Sequence, residues 1–189
     1  STGKSVLDYE FEHQGYRACQ AQVIDGNKLL IPAGMGTGTQ LVEFTKGDSG
    51  LQAKELWTSK EMKPDYNDIL VHDGHIYGFH EKGDLRAVEL PSGEVKWSTP
   101  GPLGDRPPAT GTAFLCRHGG RFFLFAETGD LVIAELSPEG YRELDRAHLI
   151  EPTQSAFGRP VVWSAPAWAD KSVLVRNDAE IVRVSLAAD

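Results

Sequence analysis

Three glycines in five residues, Gly34, Gly36 and Gly38, make 32-PAGMGTGTQLVEF-44 the first place to look for chemistry. A glycine-rich loop between a strand and a helix holds phosphate, because bare backbone N–H groups and a helix N-terminus both attract anions. The residues after Gly38 speak against that use. Thr39 stands where the third glycine of a dinucleotide fingerprint would fall, no Gly-Lys-Ser/Thr follows, and the run from Thr39 to Phe44 reads as a strand. His72 and His75 flank the turn Asp73-Gly74. In a two-residue hairpin those positions pair across the strands, so both imidazoles leave one face and can begin a zinc site, although no third ligand is evident. Cys19 and Cys116 fit no metal motif. The expectation is two buried thiols, with a bridge between them as the other possibility. No nucleophile elbow, zincin motif or Ser/Cys–His signature occurs in the sequence.

The chain around these residues has a net charge of −8 and no run of Lys or Arg, which argues against nucleic acid or an anionic membrane as the main partner. Apolar residues make up 40% and charged residues 24%, as in ordinary soluble globular proteins. No apolar run approaches the roughly 20 residues of a membrane helix, so direct membrane insertion is not expected. No signal peptide is visible.

The elements that position the candidate residues are strands. Short Val/Ile/Leu/Phe-rich runs are separated by turn dipeptides, as in QVIDGNKLLI, ILVHDGHIYGF, RHGGRFFLF and ADKSVLVR. Asp25-Gly26, Asp73-Gly74 and Gly119-Gly120 supply the positive φ angles that tight hairpins need. No segment keeps a 3.6-residue period over ten residues. The turn glycines Gly26, Gly74 and Gly120 are 48 and 46 residues apart, and Lys171 takes the same place 51 residues further on. Each turn is followed by a strand, a small loop (AGMGTGT, HEKGD, AETGD, RNDAE) and another strand (TQLVEF, LRAVEL, LVIAEL, IVRVSL). A period in the forties with four short strands per unit is the signature of a β-propeller blade. One such sheet cannot bury both faces alone, so blades pack face to face. The fold class read from the sequence is therefore all-β, a propeller of four-stranded antiparallel blades, about four in this chain. Trp57 and Trp97 end the fourth strands of two repeats and are expected to pack between blades.

The segment 83-GDLRAVELPSGEVKW-97 carries a more specific likeness. It resembles the quinoprotein-type (PQQ-like) propeller repeat, whose consensus runs roughly Gly-x-Leu-x-Ala-x-Asp-x-x-Thr-Gly-x-x-x-Trp. Gly83, Leu85, Ala87, Gly93 and Trp97 match it, and Glu89 replaces the usual Asp. Gly129, Leu131 and the run from Ile133 to Leu136 echo it. The group includes BamB-type outer-membrane assembly lipoproteins and true PQQ-dependent dehydrogenases. The resemblance implies a periplasmic or extracellular protein. It also leaves two functions to weigh, a non-catalytic protein-binding scaffold and a fragment of a PQQ-dependent alcohol or sugar dehydrogenase. Such dehydrogenases typically cap the quinone with a disulfide between adjacent cysteines, bind Ca²⁺ through a Glu/Asn/Asp set and use an Asp as base. Cys19 and Cys116 are not adjacent and no such calcium set maps onto the sequence. The scaffold reading, with no cofactor and no catalytic residues, is preferred; PQQ and Ca²⁺ belong to the alternative.

By the same alignment the start of the chain, Thr2 to Leu7, matches 92–97, and Ile181 to Leu186 matches 85–90. The expected organisation is one propeller domain over 1–189: a fourth strand in 1–10, blades in 20–58, 67–98 and 112–146, and the first three strands of the split blade in 160–189. Four blades are few for this group. A piece of a longer protein, pairing with a second copy to close eight blades, and closure with four are the three outcomes left open. The Pro/Gly stretch 101-GPLGDRPPATG-111 reads as a long inter-blade connector shaping one channel mouth.

The loops after each second strand and the connections between blades share one face. Met35, His80, Glu81, Glu127, Asn177 and Asp178 come from the former, and Asp65, Asn67, Asp105 and Arg106 from the latter. Such a face can bind a cation or a peptide, or be a solvated acidic rim. Trp163 and Trp168, in the proline-containing GRPVVWSAPAWADKS, are either core or a peptide-binding patch.

Overall fold

A computed structural model describes residues 2–14, 18–48 and 50–187. Three consecutive four-stranded antiparallel meanders fill most of it. The first contains β1 (Gln22–Ile24), β2 (Lys28–Ile31), β3 (Thr39–Gly47) and β4 (Gly50–Ser59). The second contains β5 (Leu70–His72), β6 (His75–Phe79), β7 (Leu85–Glu89) and β8 (Val95–Thr99). The third contains β9 (Ala113–His118), β10 (Arg121–Ala126), β11 (Asp130–Ser137) and β12 (Gly140–His148). A separate hairpin, β13 (Gln154–Ala156) and β14 (Arg159–Val161), follows. The last sheet has three strands, β15 (Ala167–Ala169), β16 (Ser172–Arg176) and β17 (Ile181–Ser185).

The core lies between sheets, in three layers. Leu30 and Leu41 of the first sheet meet Ile76 and Val88 of the second. Tyr77 and Leu85 of the second meet Phe122, Leu124 and Val132 of the third. Phe125 and Leu131 of the third meet Val173 and Val175 of the last. Each sheet hides its apolar faces against its neighbours, as blades do.

The outer pair of each four-stranded sheet carries a β-bulge at the same place, between Leu41 and Val42, Ala87 and Val88, and Ile133 and Ala134. A bulge bends its strand and re-aims the next side chain. It puts Trp57 opposite Leu41 and Trp97 opposite Ala87. The Trp57 indole N–H then donates to the Leu90 carbonyl at 2.9 Å, and that of Trp97 to the Ser137 carbonyl at 2.7 Å. Each tryptophan thus ties its own sheet to the last turn of the next. A Cβ on Gly93 would lie 2.9 Å from the Trp57 ring, so this close approach admits no larger side chain.

The glycine loop is structural. It leads into β3, and a Cβ on Gly38 would sit 2.3 Å from the Ser59 carbonyl oxygen. Two inner hairpins use the expected left-handed pairs, Asp25-Gly26 with φ of 51° and 78° and Asp73-Gly74 with 46° and 71°; in the third only Gly119, at 60°, is left-handed, and Gly120 is not. At the equivalent turn of the last sheet Asp170 and Lys171 have φ of 47° and 53°. Lys171 carries a Cβ that disfavours this conformation by about 1–2 kcal/mol, partly offset by glycine's larger unfolded-state entropy. Lys171→Gly is expected to raise stability by about 0.5–1 kcal/mol, read as a higher urea midpoint at unchanged m value.

The ends differ from expectation. Residues 2–14 form no strand and do not complete the last sheet. They lie against the first sheet instead: the Tyr9 hydroxyl donates to Gln40 Oε1 at 2.6 Å, and its ring meets Phe44 edge-on at 6.5 Å. The reason is local. Ser5 turns its hydroxyl onto Asp8 at 3.1 Å, and Val6, 79% exposed, has no apolar face to join. Among the described residues β17 has no partner on its outer edge, and the sheets do not close a ring. Residues 160 and 161 belong to the β13–β14 hairpin and not to the last sheet. Residues 1, 188 and 189, part of the expected split blade, lie outside the described residues.

Candidate functional site

The ten rim residues do not form one open acidic surface, because most are engaged within the fold. Asn67 is buried and donates through Nδ2 to Thr112 Oγ1 at 2.9 Å. Glu81 pairs with Lys63. Asn177 donates to the Glu151 carbonyl at 2.9 Å and accepts the backbone N–H groups of Ala179 and Glu180. Asp178 accepts from Gln154 Nε2 at 2.8 Å and from the Thr153 hydroxyl at 3.3 Å. Asp105 and Arg106 are exposed on the connector that follows the short 3₁₀ turn Gly101–Leu103. That connector folds back onto the rim, where the Thr110 N–H donates to the Glu81 carbonyl at 2.8 Å. Met35 is 40% exposed and left-handed, with φ of 51°. Asp65 keeps one oxygen buried without a hydrogen-bond partner. Burial pushes its carboxyl up, against the Met35 amide and Lys63, which favour the ionised form.

His80 is buried, and its Nδ1 accepts the Lys82 backbone N–H at 3.2 Å, a bond that requires the neutral ring. Burial, then Arg86, holds its pKa below the usual histidine value. The sign follows from proton counting. Below about pH 6.5 the unfolded chain binds a proton at this histidine that the folded chain refuses, so stability falls as pH falls, by at most about 1.4 kcal/mol per pH unit. His148, raised mainly by its bond to Asp130, acts in the opposite sense, with stability lost as pH rises. The His80 imidazole is therefore expected to titrate below the usual histidine value when its ring chemical shifts are followed through an acid titration. His80→Asn should lessen the acid-side loss of stability in urea melts.

A buried polar contact surrounds Glu127, which is 4% exposed on the loop between β10 and β11. Both its oxygens are bound by Arg159, Nε at 2.7 Å and Nη2 at 3.1 Å, and Oε2 also accepts the Trp163 indole N–H at 2.9 Å. Arg159 opens β14, so this pair clamps the β13–β14 hairpin onto the rim; the Asp178–Gln154 bond holds its other strand. The clamp assembles an aromatic patch. Trp163 lies 5.1 Å from Tyr66 and 6.0 Å from Phe157, Tyr66 and Phe157 are 6.5 Å apart, and the Arg159 guanidinium sits 5.8 Å from the Phe157 ring centre. Tyr66 comes from the link between the first two sheets, while the others follow the third, so the patch spans distant repeats. Phe157 is 67% exposed and has φ of 51°, rare for a bulky residue.

Sequence reading placed Glu127, Asp65 and Asp178 on this face but missed the hairpin. Its only local signal is Phe157-Gly158 between the short triplets Gln154–Ala156 and Arg159–Val161, and Pro160 hides the strand pattern. The two tryptophans separate: Trp163 joins the patch, and Trp168 packs edge-on against Phe123 at 5.5 Å in the core of the last two sheets. His72 and His75 do stand opposite each other. Both are engaged by the turn itself, His72 Nε2 with Asp73 Oδ2 at 3.1 Å and His75 Nδ1 with the Asp73 carbonyl at 2.8 Å. Among the described residues no group of three or more His, Cys, Asp or Glu is placed to hold a metal ion. Of the rim carboxylates, those of Glu81, Glu127 and Asp178 are taken by Lys63, Arg159 and Gln154. Both thiols are free and half-buried. That of Cys19 donates to the Asn67 carbonyl at 3.2 Å, and burial, then Asp68 and Asp65, pushes it up to about 12.

No family model matches the chain, and no curated protein matches it. Solved structures do. BamB from Moraxella catarrhalis superposes with a TM-score of 0.52 at 14% identity, over 88% of this chain and 43% of that one. The computationally designed Ika4 protein gives 0.59 at 11% identity, over 98% of this chain and all of that one. A quinohemoprotein alcohol dehydrogenase from Pseudomonas putida HK5 gives 0.50 at 14%, over 83% of this chain and 28% of that one. The chain spans under half the length of the BamB chain. At these identities the likeness establishes the fold: an all-β, propeller-type succession of four-stranded sheets that is not a closed ring. No helix among the described residues is long and apolar enough to cross a membrane.

Proposed function

We propose that this chain is a non-catalytic propeller module that binds a protein partner through the face bearing Tyr66, Phe157 and Trp163. The observation that carries the reading is Phe157, a large aromatic residue two-thirds exposed on a strained turn and braced by Arg159 and two further rings. Exposed aromatic groups beside an arginine are the composition of interface hot spots. Strain held at a surface turn points the same way, since it lowers stability without filling a core. The rim polar groups support binding over catalysis, because their hydrogen-bonding capacity is spent on holding the loops together. A location outside the cytoplasm, periplasmic or extracellular, is supported by the resemblance of 83–97 to repeat proteins that are typically exported. Whether the partner is a separate protein, further blades or a second copy is what the experiment reads.

A photo-crosslinking residue placed at 157 is expected to capture one discrete protein in the source cells. The same residue at exposed Lys54 on β4 should not, and Trp163→Ala should abolish capture at 157. Equal capture from both positions, or none from either, overturns the reading. So does a stable chromophore with dye-linked alcohol oxidation after PQQ and Ca²⁺ are added.

A further inference from the structure

The last sheet is one strand short of the three complete ones, and the edge it leaves open is patterned. In β17, Val182 and Val184 pack toward the third sheet, while Ile181, Arg183 and Ser185 are exposed. The Leu186 N–H bonds the Lys171 carbonyl across the sheet, so by alternation the N–H groups of Arg183 and Ser185 point away from β16. An open row of such groups is a template for a further strand.

One segment of the chain has the complementary pattern and no ladder to join. Residues 7–12 alternate strictly: Leu7, Tyr9 and Phe11 are half-buried, and Asp8, Glu10 and Glu12 are exposed. That is the two-residue period of a strand with one apolar side, yet these residues belong to no sheet. In this chain the apolar side rests on the first sheet. Tyr9 reaches Gln40 and Phe44, which flank the buried Val42 on the face turned away from the second sheet.

We infer that residues 7–12 of one copy add to β17 of a second copy as its fourth strand, and that the exchange is reciprocal. One antiparallel register joins the two patterns. It sets Glu10 opposite Arg183, Tyr9 opposite Val184, Phe11 opposite Val182 and Leu7 opposite Leu186. Apolar pairs and opposite-charge pairs are the cross-strand contacts that stabilise a sheet. A slip by one residue would put Glu10 beside a valine and turn the aromatic side to solvent. The charges are complementary: the exposed side of the segment carries three carboxylates, and Arg183 is fixed on the matching side by its Nε bond to Ser172 Oγ at 3.1 Å. The donor is a second copy because the chain's own segment is held on the first sheet, with the second and third sheets between it and β17. Leaving that position gives up the Tyr9–Gln40 bond and the Tyr9–Phe44 contact, and the new ladder and the apolar pairs replace them. The association uses a sheet edge and does not depend on the function proposed for the aromatic face.

Light scattering across a dilution series tests the inference. At high concentration the mass should be twice the 20.7 kDa of one chain, falling to one chain on dilution. Glu10→Arg and Arg183→Glu each set like charges opposite one another at both reciprocal contacts, and each should raise the dimer Kd by about tenfold or more. Both side chains are exposed, so neither change disturbs the core. Mixed in equal amounts, the two variants should return to within about twofold of the native Kd, because every contact in the mixed pair again joins opposite charges. Hydrogen exchange at the Arg183 and Ser185 amides should slow as the dimer forms. A single-chain mass at every concentration overturns the inference, and if β17 is protected there, the strand comes from the same chain. A dimer that neither variant weakens overturns it too, by placing the second copy elsewhere. So does a mixture no tighter than its two components.

Discussion

Trp97→Ala is expected to cost about 3–5 kcal/mol, the range for removing a packed tryptophan from a core. The side chain lies between two sheets, against Tyr77 at 6.1 Å, and its N–H satisfies the Ser137 carbonyl in the last turn of the third sheet. Alanine removes both the filling and the donor. A second variant separates the two parts. Trp97→Phe keeps most of the apolar contact and loses only the hydrogen bond, so it should cost about 1–3 kcal/mol, the cost of leaving a partly buried carbonyl unmet. Urea unfolding at constant pH measures both. Because the second and third sheets share this contact, Trp97→Ala should also speed hydrogen exchange across the strands flanking the lost layer, β7 and β11. Equal losses for the two variants would mean that the hydrogen bond, and not the packing, holds the sheets together.

Glu127→Ala should have the second large effect. It removes a 4%-exposed carboxylate and leaves Arg159 and the Trp163 N–H without their acceptor. Breaking a buried, hydrogen-bonded pair from one side costs about 3–5 kcal/mol, far more than losing a surface ion pair. Here the damage should be local as well as global. The β13–β14 hairpin has one clamp at Arg159 and one at Gln154, and losing the first frees the turn that carries Phe157. The variant is expected to be cut by chymotrypsin after Phe157, in the freed Phe157-Gly158 turn, while the three complete sheets stay protected, and to lose crosslinking from position 157. Glu127→Ala with Arg159→Leu should recover part of the stability, because no unpaired charge then remains. It should not recover partner capture, since the guanidinium under Phe157 is gone. A single variant that unfolds no more readily than the native chain would show that the pair does not hold the hairpin.

Much of the fold was readable along the chain because its causes are local. Asp73-Gly74 makes the inner hairpin by backbone preference alone, and Gly38 is followed by a strand whatever else surrounds it. The repeat of turn, strand, loop and strand, and the tryptophans at the ends of the rows, follow from two-residue alternation and short-range turn chemistry. The site was less legible. The sequence alone placed Glu127 and Asp178 on the loop face, but their partners Arg159 and Gln154 lie more than twenty residues away, in a hairpin without alternating apolar residues. Tyr66 and Trp163, nearly a hundred residues apart, meet only because the sheets stack and bring two inter-sheet links to one mouth. The N-terminal segment shows the same limit from the other side: it aligns with a fourth strand, yet Ser5 satisfies Asp8 locally and Tyr9 finds Gln40, and no strand forms. Turns and strand order are set by neighbours in sequence. Which polar groups stay free, and which rings gather on the surface, is set by how sheets pack, and that is a property of the tertiary structure alone.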